Sequence, residues 1–206
     1  MTAPAKKNNP YVGPGPAPTL TRSKILDAAA RLFYRQGIRA VSVDEVAEAA
    51  SVTKVTVYKH FRSKDNLIAS CLSMLDDRFS AWFVAQVEAA GEDPEGRLIA
   101  VFDVFDRWFH QRSFRGCAFI NATVELADPT HPGHSAVVAH KERIRDYFRD
   151  LAAAAGLADP DTISDQWMLL SEGATVTALV EDDREAAKRA RKAAEALLAA
   201  TPRQGR

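Results

Sequence analysis

Between residues 53 and 64 the chain brings together Thr53, Lys54, Val55, Thr56, Tyr58, Lys59, His60 and Lys64. That mixture suits a polyanion whose bases are partly read. Ammonium groups neutralise phosphate, a tyrosine hydroxyl reaches it, and Val or Thr methyls can touch thymine. At helical spacing Lys54, Val55, Tyr58 and Lys59 point one way, while Ala47, Val52, Val57 and Phe61 can lock two short helices together. Asn121 and Glu125 form a second constellation. They lie one turn apart on a shared face, where they can bind the polar group of a small molecule or tie neighbouring helices together.

Cys117 invites a thiol redox sensor, or a nucleophile served by a histidine base. A reactive thiol needs exposure and a lowered pKa, and only Arg115 nearby hints at that, so a buried structural cysteine is favoured. No motif supports an enzyme. His131 and His134 flank Pro132-Gly133 instead of recurring four apart on a helix, and no cysteine pair completes a ligand set with them or His140. Loop histidines, with no metal and no cofactor, are the expectation.

These side chains are positioned by a chain that reads as helical throughout. Ile25, Ala29, Leu32 and Phe33 share a face of a first helix, Thr21 to Gln36, which Gly37 ends. Ser42 and Glu45 fit a capping box that opens a short helix to Ala50. Thr53 caps another through His60, and Ser63 a long one that Gly91 and Pro94 close. Further helices are expected over 95–112, 116–126, 134–155, 161–180 and 184–200, with the run from Asp128 to Gly133 as a break. The fold class is all-α with about nine helices. Pro4, Pro10, Pro14, Pro16 and Pro18 with Gly13 and Gly15 make residues 1–18 a flexible or polyproline-like arm.

Composition narrows the partners. Of 206 residues 47% are hydrophobic and 26% charged, which excludes disordered, collagenous and disulfide-scaffold classes. No apolar run is long enough to span a membrane, the N-terminus lacks the apolar core of a secretory signal, and two cysteines fit a reducing compartment, so a cytoplasmic address is expected. The net charge is zero, yet residues 1–70 hold 11 basic and 5 acidic side chains against 16 and 22 in the remainder. A polyanion bound at one end only would exploit that asymmetry.

The stretch from Ser42 to Leu67 resembles the DNA-binding domain of TetR/AcrR-family transcriptional regulators. The family's run of a β-branched or Ser/Thr residue, Tyr, any residue, His, Phe, two more and Lys is met by Thr56 through Lys64, and the helix ending Phe33-x-x-x-Gly37 matches in spacing. Ser51 stands where the turn usually has Gly, at a cost of about 1 kcal/mol if it is left-handed. The resemblance implies a three-helix helix-turn-helix domain at 19–66, followed by a helical effector-binding and dimerisation domain at 67–206.

On that likeness Thr53 caps the recognition helix and bonds a phosphate. Lys54, Val55 and Lys59 meet base edges or flanking phosphates, with Thr56 in the same motif. Tyr58 and His60 contact the backbone, Lys64 adds its charge at a helix N-terminus, and Ser42 touches phosphate from the supporting helix. The segment Arg115 to Glu125 is similar to a Gly-Cys…Asn…Glu stretch of one family branch. It implies a small aromatic or lipophilic effector held by Asn121 and Glu125 among Phe102, Phe105, Phe109, Phe119, Tyr147 and Trp167. Double-stranded operator DNA, the effector and a second copy joined through the last two helices are the implied partners, with no membrane. Repression is the implied function, and a thiol switch at Cys117 is the alternative.

Overall fold

The computed structural model describes residues 9–11 and 21–204. Among them nine helices occur: α1 Thr21–Gln36, α2 Val43–Ala49, α3 Lys54–Phe61, α4 Lys64–Glu88, α5 Pro94–Phe109, α6 Ala118–Leu126, α7 His134–Ala154, α8 Pro160–Val180 and α9 Ala186–Ala200. An isolated bridge between Leu157 and Arg203 is the extended pairing seen among these residues. None of the described helices is long and apolar enough to cross a membrane.

Side-chain caps set most boundaries. Ser42 Oγ accepts the Glu45 N–H while the Glu45 carboxylate accepts the Ser42 N–H, completing the expected capping box. Thr53, Asp93 and Asp159 cap α3, α5 and α8 by accepting amide protons three residues on. Ser63 receives the Asn66 N–H and opens α4. Gly37, at φ 93, releases the chain from α1, a conformation that costs glycine nothing. Helix α5 stops at Phe109, short of the expected 112, because the chain turns after His110 and the Phe114 N–H bonds the Gln111 carbonyl.

The chain divides into two compact units. Helix α4 runs unbroken from Lys64 to Glu88, and one of the divisions falls at Phe79/Ser80 inside it. One unit holds α1 to α3, the first part of α4, α6 and the start of α7. There α1, α2 and α3 pack on one another, and buried Asp27 of α1 pairs with Arg78 of α4 at 2.5 Å. The face expected of α1 holds for Ile25, Ala29 and Phe33, whereas Leu32 is half-exposed.

The other unit holds the end of α4, α5, the rest of α7, α8 and α9. Its small residues Ala186, Ala187, Ala190 and Ala194 are buried on α9, which packs on α5 and α8. Alanine lets helix axes approach closely, so this face replaces large side chains by backbone proximity.

The arm expected over 1–18 lies largely outside the described residues, and its three described positions depart from the expectation. Asn9 and Tyr11 are buried, Tyr11 to 1% exposure. A single aromatic anchor has no period, so no pattern in the sequence could reveal it.

Candidate nucleic-acid interface and effector cavity

Helix α3 buries only Val57 and Phe61. Its other side carries Val55, Tyr58 and Lys59, and Arg62 follows at the helical spacing; all four are exposed, Val55 to 77%. A valine side chain left that open on a well-packed motif suits contact with an apolar partner group, such as a thymine methyl. His60 is exposed as well, its ring centroid 6.2 Å from that of Phe61. Arg62 lies outside the family motif's named positions, and its place seven residues after Val55 sets it on the same face. It closes α3 at φ 64, donating its N–H to the Tyr58 carbonyl.

The turn before α3 is held by its own backbone. Ser51 adopts the left-handed conformation expected of it, at φ 55, and the Val52 N–H bonds the Ala47 carbonyl. Ala47 is buried and Val52 half-buried, so the small core between the helices forms as the spacing implied. Thr53 Oγ accepts the Thr56 N–H and lies 2.9 Å from Thr56 Oγ, so both threonine hydroxyls are engaged in the cap.

Two candidate phosphate ligands have intramolecular partners. Lys54 Nζ donates to Asp44 at 2.8 Å, and that carboxylate raises the lysine pKa by its hydrogen bond and its charge. Ser42 Oγ donates to the Glu45 carboxylate at 2.7 Å. The hydrogen bonds from Ser42, with the charge of Lys64, hold the Glu45 carboxyl below the usual range. Lys64 itself lies half-buried with Nζ 3.5 Å from the Arg39 carbonyl oxygen. Arg22 spreads its guanidinium 5.0 Å above the Phe61 ring and donates to Ser70, bracing the recognition helix from α1.

On α6, Asn121 and Glu125 share a face and line one cavity with Phe33, Tyr34, Leu72 and Leu75. Its volume is about 20 Å³, room for a water molecule. The Glu125 carboxylate also accepts the Arg39 N–H at 3.0 Å. It sits so close to the preceding turn that a Cβ at Gly37 would lie 3.0 Å from its oxygen. Glu125 therefore has a definite structural partner in the α1–α2 turn.

Phe119 is fully buried in the same unit. Phe102, Phe105, Phe109, Tyr147 and Trp167 belong to the other unit, where each packs on aromatic neighbours. Phe105 stacks on Phe109, Phe102 lies 6.0 Å from Trp167, and Trp167 Nε1 donates to the Leu98 carbonyl at 2.9 Å. Tyr147 is half-buried, its hydroxyl pushed up to about 12 by desolvation and by Glu88.

Cys117 is buried at the start of α6, and burial pushes the Cys71 thiol up to about 12. His131 sits in the loop as expected, accepting the Gly133 N–H, whereas His140 is a buried helical residue 2.8 Å from Asp76. Asp106, His110 and Glu185 place ligating atoms within 4.8 Å of one another on a largely exposed surface, the His110 ring nitrogens lying 3.7 Å from Asp106 and 3.9 Å from Glu185.

The chain matches two families in tandem. Residues 25–71 match bacterial regulatory proteins of the tetR family, and residues 94–194 match the tetracyclin repressor-like C-terminal domain. Among solved structures, a TetR-family transcriptional regulator from Streptomyces coelicolor is 32% identical with a TM-score of 0.79, covering 87% of this chain and 94% of that one. The HTH-type transcriptional regulator YjdC of Escherichia coli is 25% identical over 87% of this chain and 94% of its own length. TtgR of Pseudomonas putida, also an HTH-type transcriptional regulator, is 26% identical over 78% of this chain and 86% of its own.

Proposed function

We propose, from the premise that the chain belongs to the TetR family of bacterial transcriptional regulators, that it is a repressor released from operator DNA by a small aromatic or lipophilic effector. The observation that carries the DNA-binding part is the single exposed face of α3, with Val55, Tyr58, Lys59 and Arg62 at helical spacing. In this reading Val55 meets base edges in the major groove, and Lys59 meets base edges or a flanking phosphate. Thr53, Thr56, Tyr58, His60 and Lys64 hold phosphates, and Lys54 and Ser42 join them by exchanging Asp44 and Glu45 for DNA.

Two recognition helices are supplied by a homodimer. Leu169, Val176 and Val180 lie exposed along α8, a stripe that a second copy would cover. The operator is then pseudo-palindromic, with half-sites separated by about one DNA turn, roughly 34–36 Å, or somewhat more. The working compartment is the cytoplasm, where the DNA is. The effector acts through the region of Asn121 and Glu125, by differential affinity for two arrangements of the dimer.

Selection of bound duplexes from random DNA tests the reading. The expected product is an inverted repeat whose affinity falls steeply with salt, and light scattering should report a dimer. Lys64→Ala should weaken all duplexes alike and flatten the salt dependence by about one unit. Recovery of no preferred sequence, or a monomer that binds one half-site at full affinity, would falsify it.

A further inference from the structure

Tyr11 belongs to no helix, yet its ring is enclosed by side chains from three. It stacks on Phe79 of α4 with centroids 5.4 Å apart, tilts against Tyr34 of α1 at 4.9 Å, and meets Phe119 of α6 edge-on at 6.2 Å. Its hydroxyl donates to Cys117 Sγ at 3.8 Å, and the Ala118 backbone N–H faces the hydroxyl oxygen. Behind the aromatic wall His140 stacks on Phe119 at 3.7 Å and is fixed in turn by Asp76. On its chain side Tyr11 is held by a local turn, its N–H donating to Asn9 Oδ1 at 2.9 Å.

The enclosure and its occupant differ in kind. Helices and a buried His–Asp pair build the walls, so the ring slot and the polar groups at its end are pre-formed. The occupant is a side chain whose described neighbours are a single short turn. The slot recognises the two faces and edges of one aromatic ring, and a hydroxyl that both donates and accepts. That set of contacts describes a phenol. Cys117 gives the start of α6 no side-chain cap, and the Ala118 amide, first of that helix, serves the occupant's oxygen instead. Tyr34 and Ala118 also line the cavity that contains Asn121 and Glu125, so the two spaces adjoin.

We propose that the slot bounded by Tyr34, Phe79, Phe119 and the start of α6 is a binding site for phenols, kept closed by the chain's own Tyr11 as an internal competitor. An external phenol binds by displacing Tyr11, and its apparent affinity is reduced by the fraction of molecules in which the slot is open. Ring substituents extend into the adjoining cavity. This names a chemical class for the effector and to that extent rests on the regulator reading, although binding itself does not require DNA.

The probe is p-cresol, which reproduces the tyrosine side chain. It is titrated calorimetrically into the full-length protein, Tyr11→Ala and Tyr11→Phe, with toluene as the ring without a hydroxyl. If the slot is closed in about 90% or more of wild-type molecules, Tyr11→Ala binds p-cresol at least about tenfold more tightly than wild type. Tyr11→Phe, which keeps the ring in place, should stay close to wild type. Toluene should bind Tyr11→Ala more weakly than p-cresol does. A thiol reagent should label Cys117 faster in Tyr11→Ala, and p-cresol should slow it again.

If Tyr11→Ala does not fold alone, p-cresol added during refolding should restore a cooperative melt. Equal p-cresol affinity in wild type and Tyr11→Ala overturns the competitor role, and a variant that p-cresol neither binds nor rescues overturns the site. Operator binding on the same samples separates the two readings. A p-cresol site in a protein that selects no duplex keeps the slot and removes the regulator, while selective DNA binding without p-cresol binding does the reverse.

Discussion

Helices α3 and α6 are nearly the same length, eight and nine residues, and lie in the same compact unit, yet they use their polar residues oppositely. Helix α3 buries two side chains and gives most of its remaining surface to solvent. Helix α6 buries Ala118, Phe119 and Ala122, and turns half-buried Asn121 and Glu125 onto a cavity, leaving Val124 exposed. The N-cap of α3 is a threonine that satisfies an amide of its own helix, whereas the start of α6 faces a tyrosine from far away in sequence. An outward polar face needs only the right period. An inward one must find partners, and those partners are tertiary.

The contrast breaks most strongly at Phe119. It is fully buried against His140, so Phe119→Ala should cost about 3–5 kcal/mol in denaturant unfolding and take DNA binding with it. Wild-type stability in that variant would mean that α6 is not anchored by its aromatic face.

Lys59→Ala should behave in the opposite sense. Its melt should match wild type, while operator affinity drops about tenfold and the salt slope falls by about one unit. A destabilised Lys59→Ala would show that α3 is less purely solvent-facing than its exposure implies.

Glu125→Gln keeps the shape but weakens the acceptor for the Arg39 N–H, for about 1 kcal/mol of thermal stability. A loss as large as that of Phe119→Ala would move Glu125 into the core. The smallest effect is expected at Asp44. Asp44→Asn releases Lys54 from its exposed ion pair and should tighten operator binding by up to about fivefold, with an unchanged melt. Unchanged or weaker binding in a filter or anisotropy assay would show that Lys54 does not exchange Asp44 for DNA.

What the sequence alone determined is the local part. The caps at Ser42, Thr53 and Ser63, the left-handed turn at Ser51, the small core of Ala47, Val57 and Phe61, and the outward set on α3 follow from interactions within a few residues. Periods and caps are written in consecutive positions, so they can be read there. Tertiary structure alone decided the rest: that the units part inside α4, that Glu125 settles on the Gly37–Arg39 turn, that Lys54 is held by Asp44, and that Tyr11 fills an aromatic slot. Each of these joins residues of no fixed spacing. A contact between distant segments is selected by which surfaces collapse together, and neither periodicity nor propensity encodes that choice.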